Sequence, residues 1–408
     1  MEVPASIDAW IDLCAAAEKR GDYAEVLRAG DALARLAGQS PQPHFIRGLA
    51  LQRLGRMDES IDAYRAATAR DPNSIDAWTN LGFACQELNR INEAEDAYRR
   101  AAECGAPPWN LAVIELLKGD LQNGFAHYEA RFSANGKQRP DFPQPLWRGE
   151  DLKGKTILIT VDQGHGDTLM MARFFPVLRE RGARIVLQAQ PALAPYLENW
   201  DGVDAVLSPG DPLPAFDYHA NEFDLPRYLG TTLETLPAQI PYLPVPEPDK
   251  ATRLPDTGNM KVALTWAGNP NHVNDAQRSL TLADLNPLFD VQGVDFYALT
   301  RDKKPGDEEL LHKLSITDLA PKLGDFLTTA RYLAQCDLVI SCDTATAHLA
   351  GGMGKPLWVM LPFAPAWCWL TERKDSPWYP TARLFRQQTR GDWRGVAAHV
   401  AEALREKL

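Results

Sequence analysis

The chain has 408 residues, of which 45% are hydrophobic and 24% charged, a composition typical of soluble globular proteins with two or three domains. The formal net charge of −11 argues against a nucleic-acid groove, because phosphate binding needs a surplus of Lys and Arg. No apolar run approaches the ~18 residues that span a bilayer, and the first residues lack the basic and apolar regions of a signal peptide. The six cysteines include no CxxC pair, which favours free thiols in a reducing compartment. We therefore expect a cytoplasmic protein without a transmembrane segment.

The first third of the chain carries an internal repeat. The pattern of small, aromatic and apolar residues in His44–Pro72 recurs in Trp78–Ala106 at an offset of 34 residues. A degraded copy begins near Trp10, and a shortened one includes Gly119 and Tyr128. A period of 34 residues resembles the tetratricopeptide repeat, in which stacked helix pairs bury their apolar faces against one another. The resemblance implies a helical solenoid over residues 1–134, which either holds a protein partner or only caps the rest of the chain.

Two residue classes recur at fixed positions of the repeat. Small residues are expected where two helices approach closely, and these are Gly48, Gly82 and Ala112. Tyrosines are expected to fill the gap to the neighbouring unit, and these are Tyr64, Tyr98 and Tyr128. Residues 135–152 then break the pattern with three Pro and two Gly, which predicts a linker. Trp147 is its expected anchor on a folded surface.

Beyond the linker, apolar runs alternate with helical patterns, which is typical of parallel sheets built from βαβ units. Residues 153–257 predict strands at 156–160, 184–190 and 204–210. Residues 258–408 predict strands at 261–268, 295–301, 337–343 and 356–362, and a last helix that stays on this half or crosses back to the other. Two such α/β domains leave a cleft at the carboxyl ends of their strands, where ligands bind. We expect residues 153–257 and residues 258–408 to form the two sides of this cleft.

The segment SCDTATAHLAGG, from Ser341 to Gly352, predicts a strand that turns into a helix. The N-terminus of such a helix suits a phosphate or diphosphate. Asp343 is expected to cap the helix, and Thr344 to reach a phosphate oxygen. His348 lies about one turn into the helix, where it either faces the same site or packs in the core. The glycines that follow, Gly351, Gly352 and Gly354, are expected to end the helix.

A second turn, in VDQGHGDTLMMARF, joins the first strand of the earlier α/β half to a helix. Gly164 and Gly166 allow the backbone to approach a ligand. Asp167 is expected at the helix N-terminus, either as its cap or as a general base. Further along the chain, an aromatic cluster either stacks on the ligand or packs between the two halves, and its members are Trp367, Trp369, Trp378 and Tyr379.

Together these motifs resemble the ADP-heptose:lipopolysaccharide heptosyltransferases, which are glycosyltransferases of the GT-B fold, and more closely the bacterial chains in which a tetratricopeptide array precedes such a domain. The resemblance is carried by LLKGDLQNGFAHYEARF, PLWRGEDLKGKTILITVDQGHGDTLMMARF, LTWAGNPNHVNDAQRSL, SCDTATAHLAGGMGKPLWVMLP and WCWLTERKDSPWYPTARLFRQ. It implies an α plus α/β chain, with a tetratricopeptide solenoid followed by a GT-B fold of two Rossmann-like domains that face a cleft. Residues 153–257 would then be the acceptor-side domain and residues 258–408 the donor-binding domain.

The resemblance also implies roles for individual residues. Asp167 would be the catalytic base, in a loop on the acceptor side made of Gln163, Gly164, His165, Gly166 and Thr168. The donor would be bound by Trp266, Gly268, Asn269, Arg278, Arg301, Asp343, Thr344, Ala345 and His348. Where relatives have EQGLGD this chain has VDQGHGD, which introduces His165. Relatives often carry a Gln-Lys pair where this chain has Arg301 and Lys303.

The sequence contains no Asp-x-Asp motif and no His/Cys cluster with ligand spacing, so we expect a metal-independent reaction. The nucleotide sugar would be a co-substrate and no cofactor would be needed. A single displacement implies inversion at the anomeric carbon. We expect the acceptor to be Ser or Thr of a protein, such as flagellin or another surface protein, recruited by the array. The alternatives are a lipopolysaccharide or other glycan acceptor, a non-catalytic nucleotide-sensing scaffold, and a nucleotide-sugar epimerase.

Overall fold

The computed structural model describes residues 6–134, 136 and 138–408. They form two compact units. One comprises the chain up to Lys118 together with Ala126–Arg139, and the other comprises Gly119–Phe125 and Pro140–Leu408.

The first unit is an array of helix pairs. Its helices, the eighth of which spans the border between the units, are α1 Ile7–Lys19, α2 Tyr23–Leu36, α3 Pro41–Arg53, α4 Met57–Arg70, α5 Ile75–Glu87, α6 Ile91–Glu103, α7 Trp109–Lys118, α8 Leu121–Tyr128 and α9 Arg131–Ala134. The turns inside the first three pairs have a positive φ at positions 34 residues apart, namely 71° at Gly21, 76° at Gly55 and 56° at Asn89. This left-handed conformation favours Gly or Asn, and it ends each first helix so that the second can fold back on it. The predicted helix pairs, including the degraded first copy, are confirmed.

Close contacts inside each repeat explain the recurring glycines and tyrosines. A Cβ built on Gly48 would stand 2.5 Å from Cε1 of Tyr64, and one built on Gly82 would stand 2.6 Å from Cδ1 of Tyr98. Each tyrosine therefore packs on the glycine of its own repeat, whereas the sequence prediction assigned it to the gap between repeats. The Tyr64 hydroxyl donates to Oε1 of Gln52 at 2.9 Å, which pairs its buried polar atom.

The second unit contains two parallel sheets. The first has the order β3-β2-β1-β4, with β1 Thr156–Thr160, β2 Arg184–Gln188, β3 Ala205–Leu207 and β4 Tyr218–Asn221. The second has the order β10-β9-β8-β5-β6-β7, with β5 Met260–Thr265, β6 Val294–Ala298, β7 Thr317–Asp318, β8 Leu338–Cys342, β9 Leu357–Leu361 and β10 Ala382–Arg386. The helices of this unit are α10 His165–Met171, α11 Phe175–Glu180, α12 Ala194–Leu197, α13 Leu225–Tyr228, α14 Asp275–Arg278, α15 Asn286–Phe289, α16 Asp307–Lys313, α17 Phe326–Ala334, α18 Ala345–Gly352 and α19 Trp393–Lys407.

The strand orders are those of doubly wound nucleotide-binding sheets. Numbered within its own half, the second sheet runs 3-2-1-4-5-6 and the first runs 3-2-1-4. The winding direction reverses between β1 and β4 in one sheet and between β5 and β8 in the other, and ligands bind at such reversals. The predicted architecture, an array of tetratricopeptide helix pairs followed by two Rossmann-like domains, is confirmed.

Several elements differ from the sequence prediction. Strands β4, β7 and β10 were not predicted, because they are short or mix polar with apolar residues. The helix predicted after the turn at Gly164–Asp167 is two helices, α10 and α11, joined by a 3₁₀ turn at Ala172–Phe174, with Pro176 near the α11 start. The last helix, α19, packs in the core of the second sheet and does not cross back. Trp147 is fully buried, and its backbone N–H donates to the carbonyl of His219 at 2.8 Å. Trp147 is therefore confirmed as an anchor.

Candidate functional site

The first residues after β5 and β8 lie together at the reversal of the second sheet. A Cβ built on Gly268 would stand 3.2 Å from Cγ2 of Thr344 and 2.8 Å from Nη2 of Arg278. Arg278, the last residue of α14, donates from Nη1 to the carbonyl of Asp343 at 3.1 Å. These two turns therefore hold a guanidinium beside the N-terminus of α18.

The N-terminus of α18 differs from the predicted one in its capping residue. Thr344 is the N-cap, with φ −142° and ψ 171°, and its side chain makes no capping hydrogen bond. Asp343 stands one residue too early to cap the helix, and its Oδ1 instead lies 3.8 Å from Nε2 of His348. The prediction that Asp343 caps the helix is therefore wrong. Because the side chain of Thr344 does not cap α18, this helix end has the chemistry of an anion site.

His348 lies on α18 with its ring buried between aromatic groups. The imidazole stacks on Trp369, with ring centroids 5.4 Å apart and planes inclined by 23°. Its Nδ1 lies 2.8 Å from the Tyr379 hydroxyl. Burial lowers the pKa of His348 to about 4, although the Asp343 carboxylate raises it. His348 is therefore a neutral side chain near pH 7, packed among aromatic rings as the second of its two predicted roles has it. That it also faces a phosphate site stays a prediction.

The glycines that follow His348 have two different functions. Gly354 has φ 71° and follows the end of α18, as predicted. Gly352 is the last residue of α18, also as predicted, whereas Gly351 lies inside the helix, so the prediction is wrong for Gly351. A Cβ on Gly351 would stand 2.3 Å from Cδ1 of Tyr379, and one on Gly352 would stand 2.4 Å from Cδ1 of Leu243. They are small because large side chains pack directly on this face of α18.

Asp167 occupies the third position of α10, and Gly164 is the N-cap. Its Oδ2 accepts a hydrogen bond from the Gly164 N–H at 3.0 Å. Burial, together with the neighbouring Asp343 and Asp162 carboxylates, raises the pKa of Asp167 to about 6, although the hydrogen bond from Gly164 lowers it. A carboxyl group that titrates near neutrality is suited to accept a proton.

The turn that carries Asp167 packs directly on α18. A Cβ built on Gly166 would stand 2.8 Å from Cδ2 of His348 and 3.3 Å from Cα of Ala345. Gly166 therefore allows the backbone to approach the helix of the other sheet, where the sequence prediction had it approach a ligand. The charges of Asp167 and Asp343 are close enough to interact.

The other residues of the acceptor-side loop are placed around this contact. The His165 ring lies 5.2 Å from the ring of Phe326, and its pKa is lowered by burial and by the charge of Arg301. The carbonyl of Gln163 accepts a hydrogen bond from Nε2 of Gln190 at 3.1 Å. Thr168 is fully buried and its Oγ1 lies 3.1 Å from the same Nε2, so it supports the turn from inside.

Three further predicted donor-binding residues differ in their surroundings. Trp266 is fully buried in the core of the second sheet, with its Nε1 donating to Oδ2 of Asp307 at 2.8 Å, so its side chain is not brought to the site. Asn269 is exposed, and its Oδ1 accepts from the N–H of Asn271 at 3.0 Å. Arg301 is exposed near His165, while Lys303 pairs with Asp318 at 2.9 Å.

Sequence reasoning missed the role of Arg173. Its guanidinium is buried, and Nη1 donates to the carbonyl of Trp378 at 2.6 Å while Nη2 donates to the Tyr242 hydroxyl at 3.1 Å. It lies 4.8 Å, 4.8 Å and 4.9 Å from the ring centroids of Tyr242, Trp378 and Tyr379. A basic residue inside an apolar helical pattern was the available signal. The aromatic cluster packs in the interior of the unit, which is one of the two predicted roles.

Among the described residues no group of three or more His, Cys, Asp or Glu is arranged to hold a metal ion. Within the same residues, every helix is too short or too polar to traverse a bilayer.

Comparisons with known proteins identify the repeats and several similar chains. Residues 41–74 and 63–96 match models of the tetratricopeptide repeat, so the predicted repeats are confirmed there. The protein FlbA of Caulobacter vibrioides is 27% identical, over 98% of this chain and 84% of that protein. A mutant of the O-GlcNAc transferase of Thermobaculum terrenum is 14% identical with a TM-score of 0.32, covering 100% of this chain and 93% of its own. The crystal structure of MamA is 16% identical with a TM-score of 0.31, covering 33% and 80% respectively. The resemblance to heptosyltransferases stays a prediction.

Proposed function

We propose that this protein is a glycosyltransferase that moves a sugar from a nucleotide-sugar donor to an acceptor hydroxyl. One observation carries the proposal, the contact between the turn that bears Asp167 and the α18 N-terminus, through Gly166. A carboxyl group able to take a proton is thereby brought close to backbone N–H groups and to the Arg278 guanidinium, which can hold an anion. In a single-displacement transfer of a sugar from a phosphate ester, a base lies on one side of the anomeric carbon and the groups that hold the leaving phosphate lie on the other.

In the proposed reaction, Asp167 removes the proton from the acceptor hydroxyl as its oxygen attacks the anomeric carbon. The bond from that carbon to the donor phosphate breaks, and the nucleotide leaves with the electron pair. The uncapped N–H groups of α18 and the Arg278 side chain stabilise the charge that develops on the leaving phosphate. A single displacement inverts the anomeric centre, and these groups would perform it without a metal ion.

The array supports a macromolecular acceptor. A cavity of about 770 Å³ lies in it, lined by residues of α4, α5 and α6 that include Trp78, Arg65, Arg99, Asp96 and Glu103. An indole with charged groups of both signs suits a peptide, whose backbone and side chains offer matching groups. We propose that this cavity recruits a protein segment carrying Ser or Thr in the cytoplasm, with flagellin or another surface protein as the acceptor.

The proposal is tested with the variant Asp167→Asn, which keeps an oxygen that can accept from Gly164. Thermal denaturation with a panel of nucleoside diphosphates, nucleotide sugars and cytidine monophosphate should show a stabilising ligand for the wild type and for the variant alike. Transfer from that donor should fall by about 10²-fold to 10⁴-fold in the variant only. Asp211→Asn is the matched control, because Oδ2 of Asp211 accepts from the Ser208 N–H at 2.7 Å in a similar turn. Undiminished transfer by Asp167→Asn, or no ligand for the wild type, would overturn the proposal, the second result favouring a scaffold.

The acceptor is tested by mass spectrometry of proteins and glycans from cells with and without the gene. Sugar found on a lipid-linked glycan and on no protein would replace the protein acceptor by a glycan. Any truncation of the array should end before Gly119, because Gly119–Phe125 belongs to the second unit.

A further inference from the structure

Tyr379 is a buried residue of the second unit whose ring lies on α18. Its side chain is fully buried, and its Cδ1 would stand 2.3 Å from a Cβ on Gly351. Gly351 follows His348 by three positions, so both lie on the same face of the helix. The ring reaches along this face, and its hydroxyl lies 2.8 Å from Nδ1 of His348. The absence of a side chain at position 351 is therefore what allows the phenol to reach the imidazole.

The opposite edge of the imidazole faces the place where the two turns meet. Cδ2 of His348 would stand 2.8 Å from a Cβ on Gly166, and Nε2 lies 3.8 Å from Oδ1 of Asp343. The stacking contact with Trp369 fixes the plane of the ring. The phenol and the indole together leave the imidazole with one orientation.

The charges around the ring select one of its two neutral tautomers. The charged groups that act on it are Asp343, Arg173 and Arg278. The Asp343 carboxylate lies on the Nε2 side and favours a proton there. Nδ1 is then an acceptor, and the Tyr379 phenol is the donor. Arg173, 4.9 Å from the centre of the Tyr379 ring, increases the polarity of that O–H bond.

We propose that Tyr379 is a positioning residue that holds His348 in the Nε2–H tautomer, with this N–H directed at the meeting place of the two turns. The consequence for catalysis rests on the proposed function. There the Nε2–H would donate a hydrogen bond to the phosphate of the donor as it leaves, while the phenol retains its own proton. Gly351 contributes to this positioning, because its lack of a side chain leaves room for the Tyr379 ring.

The tautomer is measured directly by long-range ¹H–¹⁵N correlation NMR on the ligand-free full chain with ¹⁵N-labelled histidine. The variant His348→Gln assigns the signal among the 8 histidines. We expect a protonated Nε2 and an unprotonated Nδ1 in the wild type, and a mixture of tautomers in Tyr379→Phe. Tyr196→Phe is the matched control, because it also loses a buried hydroxyl that donates at 2.6 Å, to the carbonyl of Pro244. It should leave the His348 signals unchanged.

A wild-type His348 protonated at Nδ1 would overturn the proposal even if Tyr379→Phe did not fold. Unchanged His348 signals in a folded Tyr379→Phe protein would overturn it as well. If transfer is found, Tyr379→Phe should lower kcat by about tenfold, the worth of one neutral hydrogen bond, with KM little changed. If the signals behave as expected but no nucleotide stabilises the protein, the positioning role stands and the glycosyltransferase proposal fails.

Discussion

Gly166 lies so close to His348 that a methyl group on its Cα would stand 2.8 Å from Cδ2 of the imidazole. Since Ala345 lies on the same side, 3.3 Å from that methyl group, the helix would have to shift. Gly166→Ala should therefore lower the free energy of unfolding by about 1–3 kcal/mol, and reduce transfer by at least about tenfold if both turns form one site. Urea unfolding and the transfer assay check the two effects.

The control for this variant is Gly324→Ala, because a Cβ on Gly324 would meet nothing within 4 Å. It should change neither quantity. Wild-type stability and transfer in Gly166→Ala would contradict the contact between the turns.

The pH dependence of transfer should report the ionisation of Asp167. The carboxylate is the active form of a general base, and burial raises its pKa to about 6, so kcat/KM should rise with pH and level off above about 7. Asp343→Asn removes a neighbouring negative charge and should move the midpoint to lower pH. The exposed Asp375→Asn should not move it. A midpoint that rises in Asp343→Asn would be inconsistent with the arrangement of charges.

Arg173 should be among the residues on which the stability of the second unit depends most. Arg173→Met would remove the donor to the buried carbonyl of Trp378 and to the partly buried carbonyl of Pro237. We expect a loss of about 3–5 kcal/mol in urea unfolding. Arg179→Met removes the exposed pair with Asp204 and should lose at most about 1 kcal/mol. Equal effects of the two variants would show that Arg173 is not a structural support.

The effect of a Gly→Ala substitution in the repeats on stability should depend on the atoms that the new Cβ would contact. A Cβ on Gly48 would stand 2.5 Å from the rigid ring of Tyr64, so Gly48→Ala should destabilise the array by about 1–3 kcal/mol. A Cβ on Gly30 would stand 2.8 Å from Cγ of Arg47 and 3.3 Å from Cγ2 of Ile46, which are aliphatic atoms and not a ring. Gly30→Ala should therefore cost less than Gly48→Ala, about 1 kcal/mol or below, because the helix preference of Ala offsets part of the contact. Circular dichroism during thermal unfolding distinguishes the two outcomes.

Recruitment of the acceptor should depend on Trp78. Trp78→Ala removes the indole from the cavity of the array and should reduce modification of a protein acceptor by about tenfold or more, since interface tryptophans commonly carry much of the binding energy. Stabilisation by the donor nucleotide should be unchanged. Phe83→Ala, on the same helix and exposed, is the control. Normal modification by Trp78→Ala would argue that the acceptor binds elsewhere.

The fold was predictable because its signals are local and periodic. The 34-residue repeat located the helix pairs, and the apolar runs located β1, β5, β8 and β9. Strands such as β7, with two residues, carry too little pattern to be recognised. They are strands only because a neighbour pairs with them.

The candidate site was predictable only in part. The positions of Asp167, Thr344 and His348 follow from strand-to-helix turns, which a sequence displays. The hydrogen bond from Tyr379 to His348 joins residues 31 positions apart through packing on Gly351, and a sequence does not display such a contact. Asp343 was misassigned as a cap for a different reason. A shift of one residue at a helix start changes which side chain can reach the free N–H groups.

The surface of the array and the interior of the second unit respond to salt in different ways. The array carries exposed pairs such as Arg56 with Glu59 and Arg100 with Glu103, whose attraction is screened by dissolved ions. Arg173 forms no ion pair within the part of the chain that the structure describes; carbonyl oxygens and aromatic faces surround its charge instead. A change in ionic strength can thus loosen the outside of the solenoid and leave the packing around Trp378 as it was.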